Sequence, residues 1–186
     1  MKKIIALFFA LTSVSALAQT TFLGIPLDRP FPGDIHECPK QKDFNMVDQS
    51  RIKSFGLCFI QERDSQYSVY NSPDLGIRNT LMVETYDAVP LDFKMIFSKD
   101  KFGQAVAIFT RRYGKPDKSY QETARTGSGR TFDSHTSIWN RPDVNVRLDE
   151  VGADVRWSDA TIVNVRQLKE KLKRQKDEGD AAASKL

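Results

Sequence analysis

The residues best suited to chemistry in this chain are two histidines, two cysteines and a short polar run. Asp133-Ser134-His135-Thr136-Ser137 sets a base beside two hydroxyls. On a strand, where side chains alternate, Asp133, His135 and Ser137 share a face. A small periplasmic hydrolase could use His135 to draw a proton from Ser134 or Ser137. Such an enzyme also needs an oxyanion site, and no Gly-x-Ser-x-Gly elbow surrounds either serine. The run is therefore expected to be a polar strand face on which His135 makes an ordinary hydrogen bond. His36 stands two residues before Cys38 and could serve as base to a free thiol. Cys58 offers Cys38 a simpler fate as a disulfide.

The remaining ligand and motif types point away from a resident group. Two histidines and a paired cysteine set leave no clustered nitrogen and sulfur ligands for zinc. Asp143, Asp149, Glu150 and Asp154 lack the spacing of a calcium loop. Gly127-Ser128-Gly129-Arg130 has neither the spacing nor the lysine of a phosphate loop, and it opens no helix. Neither a metal nor a cofactor is expected, and no catalytic residue is assigned. The Gly127–Gly129 segment reads as a hairpin loop whose neighbours Arg125 and Arg130 could touch an acidic partner.

Charge and cysteine usage fix the setting. The chain has 186 residues, 28 Lys+Arg against 24 Asp+Glu, and a formal charge of +4. Met1-Lys2-Lys3, the apolar run Ile4 to Leu11 and Ala16-Leu17-Ala18 form a bacterial-type secretory leader, expected to be cleaved after residue 18. Between Gln19 and Val165 there are 19 basic and 20 acidic residues, which gives no surface suited to a run of phosphates. Nucleic acid is not an expected partner. The leader directs Cys38 and Cys58 to an oxidising compartment, where a disulfide between them is expected. No later apolar stretch is long enough to span a bilayer, so no stable membrane insertion is expected once the leader is gone.

Hydrophobic spacing supplies the scaffold. Leu91, Phe93, Met95 and Phe97 alternate with Asp92 and Lys94, and Leu81 to Tyr86 precedes them across Asp87-Ala88-Val89-Pro90 as the other arm of a hairpin. Ser98 is placed as an N-cap for a helix carrying Phe102, Ala105, Val106, Phe109 and Tyr113 on one stripe, closed by Gly114 and Pro116. Strands are expected at Ser119 to Thr123, Thr131 to Trp139, Val144 to Leu148 and Ala153 to Trp157. A final helix is expected from about Thr161 to Lys176, although Ile162, Val163 and Val165 would also suit a strand. At the other end, one short strand near Phe22 and a loop rich in proline lead to Cys38, which would fasten to a strand from Phe55 to Ile60.

These elements make an α+β fold: an antiparallel sheet (hairpin plus C-terminal meander) packed by one long amphipathic helix, with a C-terminal helix. The organisation expected is a leader over 1–18, a single domain over 19–176 and a disordered tail over 177–186. The function expected is that of an exported envelope protein, periplasmic or secreted, binding another envelope or secreted protein without catalysis. Arg125, Arg130, Trp139 and Trp157 are the contact candidates, with Trp157 equally suited to the core.

Overall fold

The computed structural model describes residues 21–41, 47–125, 129 and 131–185. The expected leader and Arg130 lie outside them. The fold is α+β, built on one large sheet that is antiparallel except for a single pair of strands. The described residues open with β1 (Thr21–Phe22) and β2 (Ile25–Pro26), a minute hairpin in place of one strand. Leu23 and Gly24 turn it with φ of 48° and 84°, a region glycine enters without steric cost. β3 (His36–Glu37) then lies parallel to β4 (Cys58–Arg63). Between them sits α1 (Gln49–Ile52), where the Asp48 carboxylate accepts the Ser50 N–H at 3.0 Å. The strand bearing Cys58 begins at that residue rather than at Phe55, because Gly56 turns the preceding chain at φ 72°.

The hairpin of β6 (Asn79–Tyr86) and β7 (Val89–Ser98) forms as its alternation requires, with β5 (Gln66–Tyr70) on its outer side. Beyond β7 the chain makes a single tight turn at Lys99–Lys101 before α2 (Phe102–Tyr113). Ser98 does not cap that helix: its hydroxyl donates to the Asp100 carboxylate instead. Gly114, at φ 80°, ends α2 by donating its N–H to the Thr110 carbonyl at 2.8 Å.

The meander comprises β8 (Lys118–Arg125), β9 (Thr131–Asn140), β10 (Val144–Asp149) and β11 (Trp157–Asn164). Its last strand is displaced from the expected Ala153 to Trp157. Asp154 accepts the Arg156 N–H at 2.9 Å in a local turn, so extended structure starts at Trp157 and takes in the β-branched residues through Val163. The final helix, α3 (Val165–Ala183), consequently starts later than Thr161. It also runs through most of the segment expected to be a disordered tail, since Ala181-Ala182-Ala183 are strong helix formers.

Strand order is β3-β4-β5-β6-β7-β11-β10-β9-β8. The chain leaves the sheet at its centre, on β7, and re-enters at the edge, on β8. This crossover carries α2 over one face, where Phe93, Met95, Phe97, Ala160, Ile162 and Leu148 are almost wholly buried. Phe109 of α2 meets Trp139 of β9 with ring centroids 6.0 Å apart, and Phe22 meets Phe93 at 5.1 Å. A smaller apolar cluster of Cys38, Val47, Ile52, Cys58 and Ile60 covers the other face at the β4 end. Cys38 and Cys58 form the expected disulfide there, with Cα atoms 5.0 Å apart.

Candidate functional site

The second face of the sheet is open from β6 to β8 among the described residues, apart from the start of α3 at one corner. Strand register determines which side chains become neighbours on it. One row across the strands reads Thr80, Ile96, Asp159, Asp149, Thr136 and Tyr120. The next reads Met82, Lys94, Thr161, Arg147, Ile138 and Lys118, and the third Glu84, Asp92, Val163, Asn145 and Asn140. A basic middle row is thus bordered by two acidic ones. Trp157, opposite Ser98, stands at the end of the same face and is 44% exposed.

Ionic and hydrogen-bonded contacts hold these rows together. Lys94 Nζ lies 3.3 Å from Asp159 Oδ2, and Arg147 Nε donates to Asp149 Oδ2 at 2.7 Å. The other oxygen of Asp149 accepts the Thr136 hydroxyl at 2.6 Å. Asp92 is placed less favourably. Burial, and then the Glu84 carboxylate across the strand, raise its carboxyl to about 6 against the pull of Lys171 and Lys94. A shallow depression of about 170 Å³ lies beside it, lined in part by Glu62, Met82, Glu84 and Lys94.

On the opposite face, near the Lys99–Lys101 turn that precedes α2, His135 Nδ1 lies 2.8 Å from Glu150 Oε2, which also accepts the His135 backbone N–H at 3.0 Å. Burial alone would raise the Glu150 carboxyl, but these hydrogen bonds and Lys99, 3.7 Å away, bring it below its ordinary value. The carboxylate orients an imidazole, as a general base requires. The nucleophile is missing from the arrangement. Ser137 Oγ pairs with Ser119 Oγ at 3.2 Å, and Ser134 Oγ, on the other side of the strand, accepts the Val151 N–H at 3.2 Å. Neither hydroxyl is bonded to His135 among the described residues. Cys38 is held in its disulfide, so His36 has no thiol to activate.

The contact candidates are dispersed. Trp139 is a correction: it is completely buried, and its indole N–H donates to the Gly114 carbonyl at 2.8 Å, tying β9 to the end of α2. Residue alternation along β9 turned that position inward, beneath Phe109. Arg125 is exposed at the end of β8 but belongs to the face covered by α2, opposite Trp157. Among the described candidates, Trp157 lies on the open face, and Arg130 is outside the described residues. Each strand's polar alternation marked Asp92, Lys94, Arg147 and Asp149 as outward residues. Their assembly into charged rows depends on β7 pairing with β11, a long-range contact that no local spacing signals.

Comparison with protein-family models, curated proteins and solved structures finds no match to any of them.

Proposed function

We propose that this chain is an exported bacterial envelope protein, periplasmic or secreted, that binds another envelope or secreted protein through the open face of its sheet and performs no catalysis. The observation that supports the reading is the alternation of basic and acidic rows on a face left uncovered between β6 and β8. A sheet needs one face buried for stability, and the second can remain wet. Half-buried Met82, Ile96, Ile138 and Val163 give this face apolar contact area between its charges. Its cations are largely engaged by neighbouring carboxylates, which leaves no run of free positive charge for phosphates. A folded protein with complementary stripes is the partner such a surface suits.

The test uses the oxidised chain lacking residues 1–18 as bait for an envelope extract, beside a Lys94→Glu/Arg147→Glu variant that retains the wild-type melting temperature. One stoichiometric partner held by the wild type and lost by the variant is expected. Equal capture by both forms, or no stoichiometric partner for the wild type, would overturn the assignment.

A further inference from the structure

We propose that the chain self-associates through β8, two copies pairing antiparallel about a two-fold axis at Tyr120 so that the sheet of one continues into the other. β8 is the last strand of the sheet, and its outer side meets no other strand among the described residues. Its eight residues leave a row of backbone N–H and C=O groups unpaired. Such an edge is open to strand addition, and natural edges are usually short or charged to prevent it. β8 is neither short nor uniformly charged.

Symmetry restricts the register. A two-fold axis perpendicular to the sheet keeps each face on its own side, so opposed residues must come from the same face of β8. Lys118, Tyr120 and Glu122 lie on the open face, opposite Ile138, Thr136 and Ser134 of β9. With the axis at Tyr120, the two Tyr120 side chains meet. Lys118 of each copy then opposes Glu122 of the other, giving two ion pairs around an aromatic pair. Cross-strand pairs of these kinds are the stabilising units of a sheet.

Moving the axis to Gln121 puts Tyr120 against Glu122 and leaves Lys118 without a carboxylate. Moving it to Glu122 puts two carboxylates in opposition. Within β8 the Tyr120 register pairs Lys118 through Glu122, and Pro116, which has no N–H to donate, lies outside the paired span. Tyr120 is 39% exposed, one of the few large apolar side chains at the surface, and would become covered. The pairing engages the backbone edge of β8 and the row ends Lys118 and Tyr120, whereas the partner-binding reading is tested at Lys94 and Arg147 in the middle of the face, so the two can fail separately.

Sedimentation analysis over a range of concentrations tests it. The wild type is expected to show a monomer–dimer equilibrium. Glu122→Lys would set lysines against each other twice and weaken dimerisation about tenfold. The exchange Lys118→Glu/Glu122→Lys keeps both opposed pairs in reversed order and is expected to restore the wild-type constant to within about threefold. Directly opposed strand residues have Cα atoms about 4.5–5.5 Å apart, within reach of a disulfide. Oxidised Tyr120→Cys protein should therefore run as a covalent dimer on a non-reducing gel, whereas Gln121→Cys, opposite Ser119, should not. A wild type monomeric at about 0.2 mM, a concentration at which a weak but specific dimer would be populated, would overturn the proposal. So would a dimer indifferent to the charge exchange, or equal cross-linking at 120 and 121.

Discussion

Asp92 carries a measurable consequence of the charge layout on the open face. Its carboxyl is raised from 3.8 to about 6, first by burial and then by Glu84. The folded chain accordingly binds this proton more tightly than the unfolded chain does. The contribution of Asp92 to stability is full below about pH 4, is lost as pH rises between about 4 and 6, and stays lost above that window. The interval between the two values corresponds to at most about 3 kcal/mol. Because the side chain is only half-buried, solvent screening reduces this to about 1 kcal/mol. Asp92→Asn keeps the shape and removes the charge, so it should stabilise the protein by about that amount at pH 8. In a chain of this size that is about 2–4 °C in melting temperature. Thermal melts of both proteins at pH 8 and just below pH 4 decide it, with coincident curves expected in acid. A variant less stable at pH 8 would show that Lys94 and Lys171 outweigh burial and Glu84. A gain of equal size in acid would show that ionisation is not involved.

Two other outcomes follow from the covalent and backbone geometry. Cys38→Ser/Cys58→Ser should cost about 3 kcal/mol in urea unfolding for a closed loop of this length, because the bridge spans a sequence separation of 20; a loss below about 1 kcal/mol would mean the cluster around Val47 and Ile52 holds itself together. Ala88, at φ 62° beside Asp87 at φ 50°, occupies a turn position that favours glycine. Ala88→Gly should stabilise by roughly 0.5 kcal/mol once the added freedom of the unfolded chain is counted, and a destabilised variant in the same urea assay would contradict strain at that turn.

What could be read from the chain was whatever local spacing encodes. The β6–β7 arms, the stripe of α2 and its stop at Gly114 follow from periods of two and 3.6 residues and from a glycine at positive φ. The disulfide followed from compartment and count. Ends governed by side-chain competition were not legible. Ser98 bonds Asp100 rather than a helix N–H, and Asp154 curls the chain where alternation suggested a strand. Trp139 was misassigned because an aromatic residue in a polar strand does not disclose which face carries the crossover helix. Once β7 leads through α2 to the far edge, that face is closed and Trp139 lies beneath it.

The candidate face depended still more on pairing. Asn164 shows how the sequence secures the arrangement from a distance: its Nδ2 donates to the Leu27 and Pro90 carbonyls, both at 2.8 Å, while its Oδ1 accepts the Gln167 N–H at 3.3 Å. One buried amide thus joins the N-terminal segment, the start of β7 and the first turn of α3. It fixes the end of β11 and, with it, the register that places Val163 opposite Asp92 and Thr161 opposite Lys94. Rows set by alternate residues along a strand lie about 7 Å apart. That is close to the Debye length of about 8 Å at physiological ionic strength. The fields of the basic row and its acidic neighbours therefore largely cancel before they reach a distant molecule. Such a surface cannot steer a partner from afar, but in contact it penalises any partner whose stripes are displaced by one row. Specificity of register, rather than accelerated encounter, is what this charge arrangement can supply.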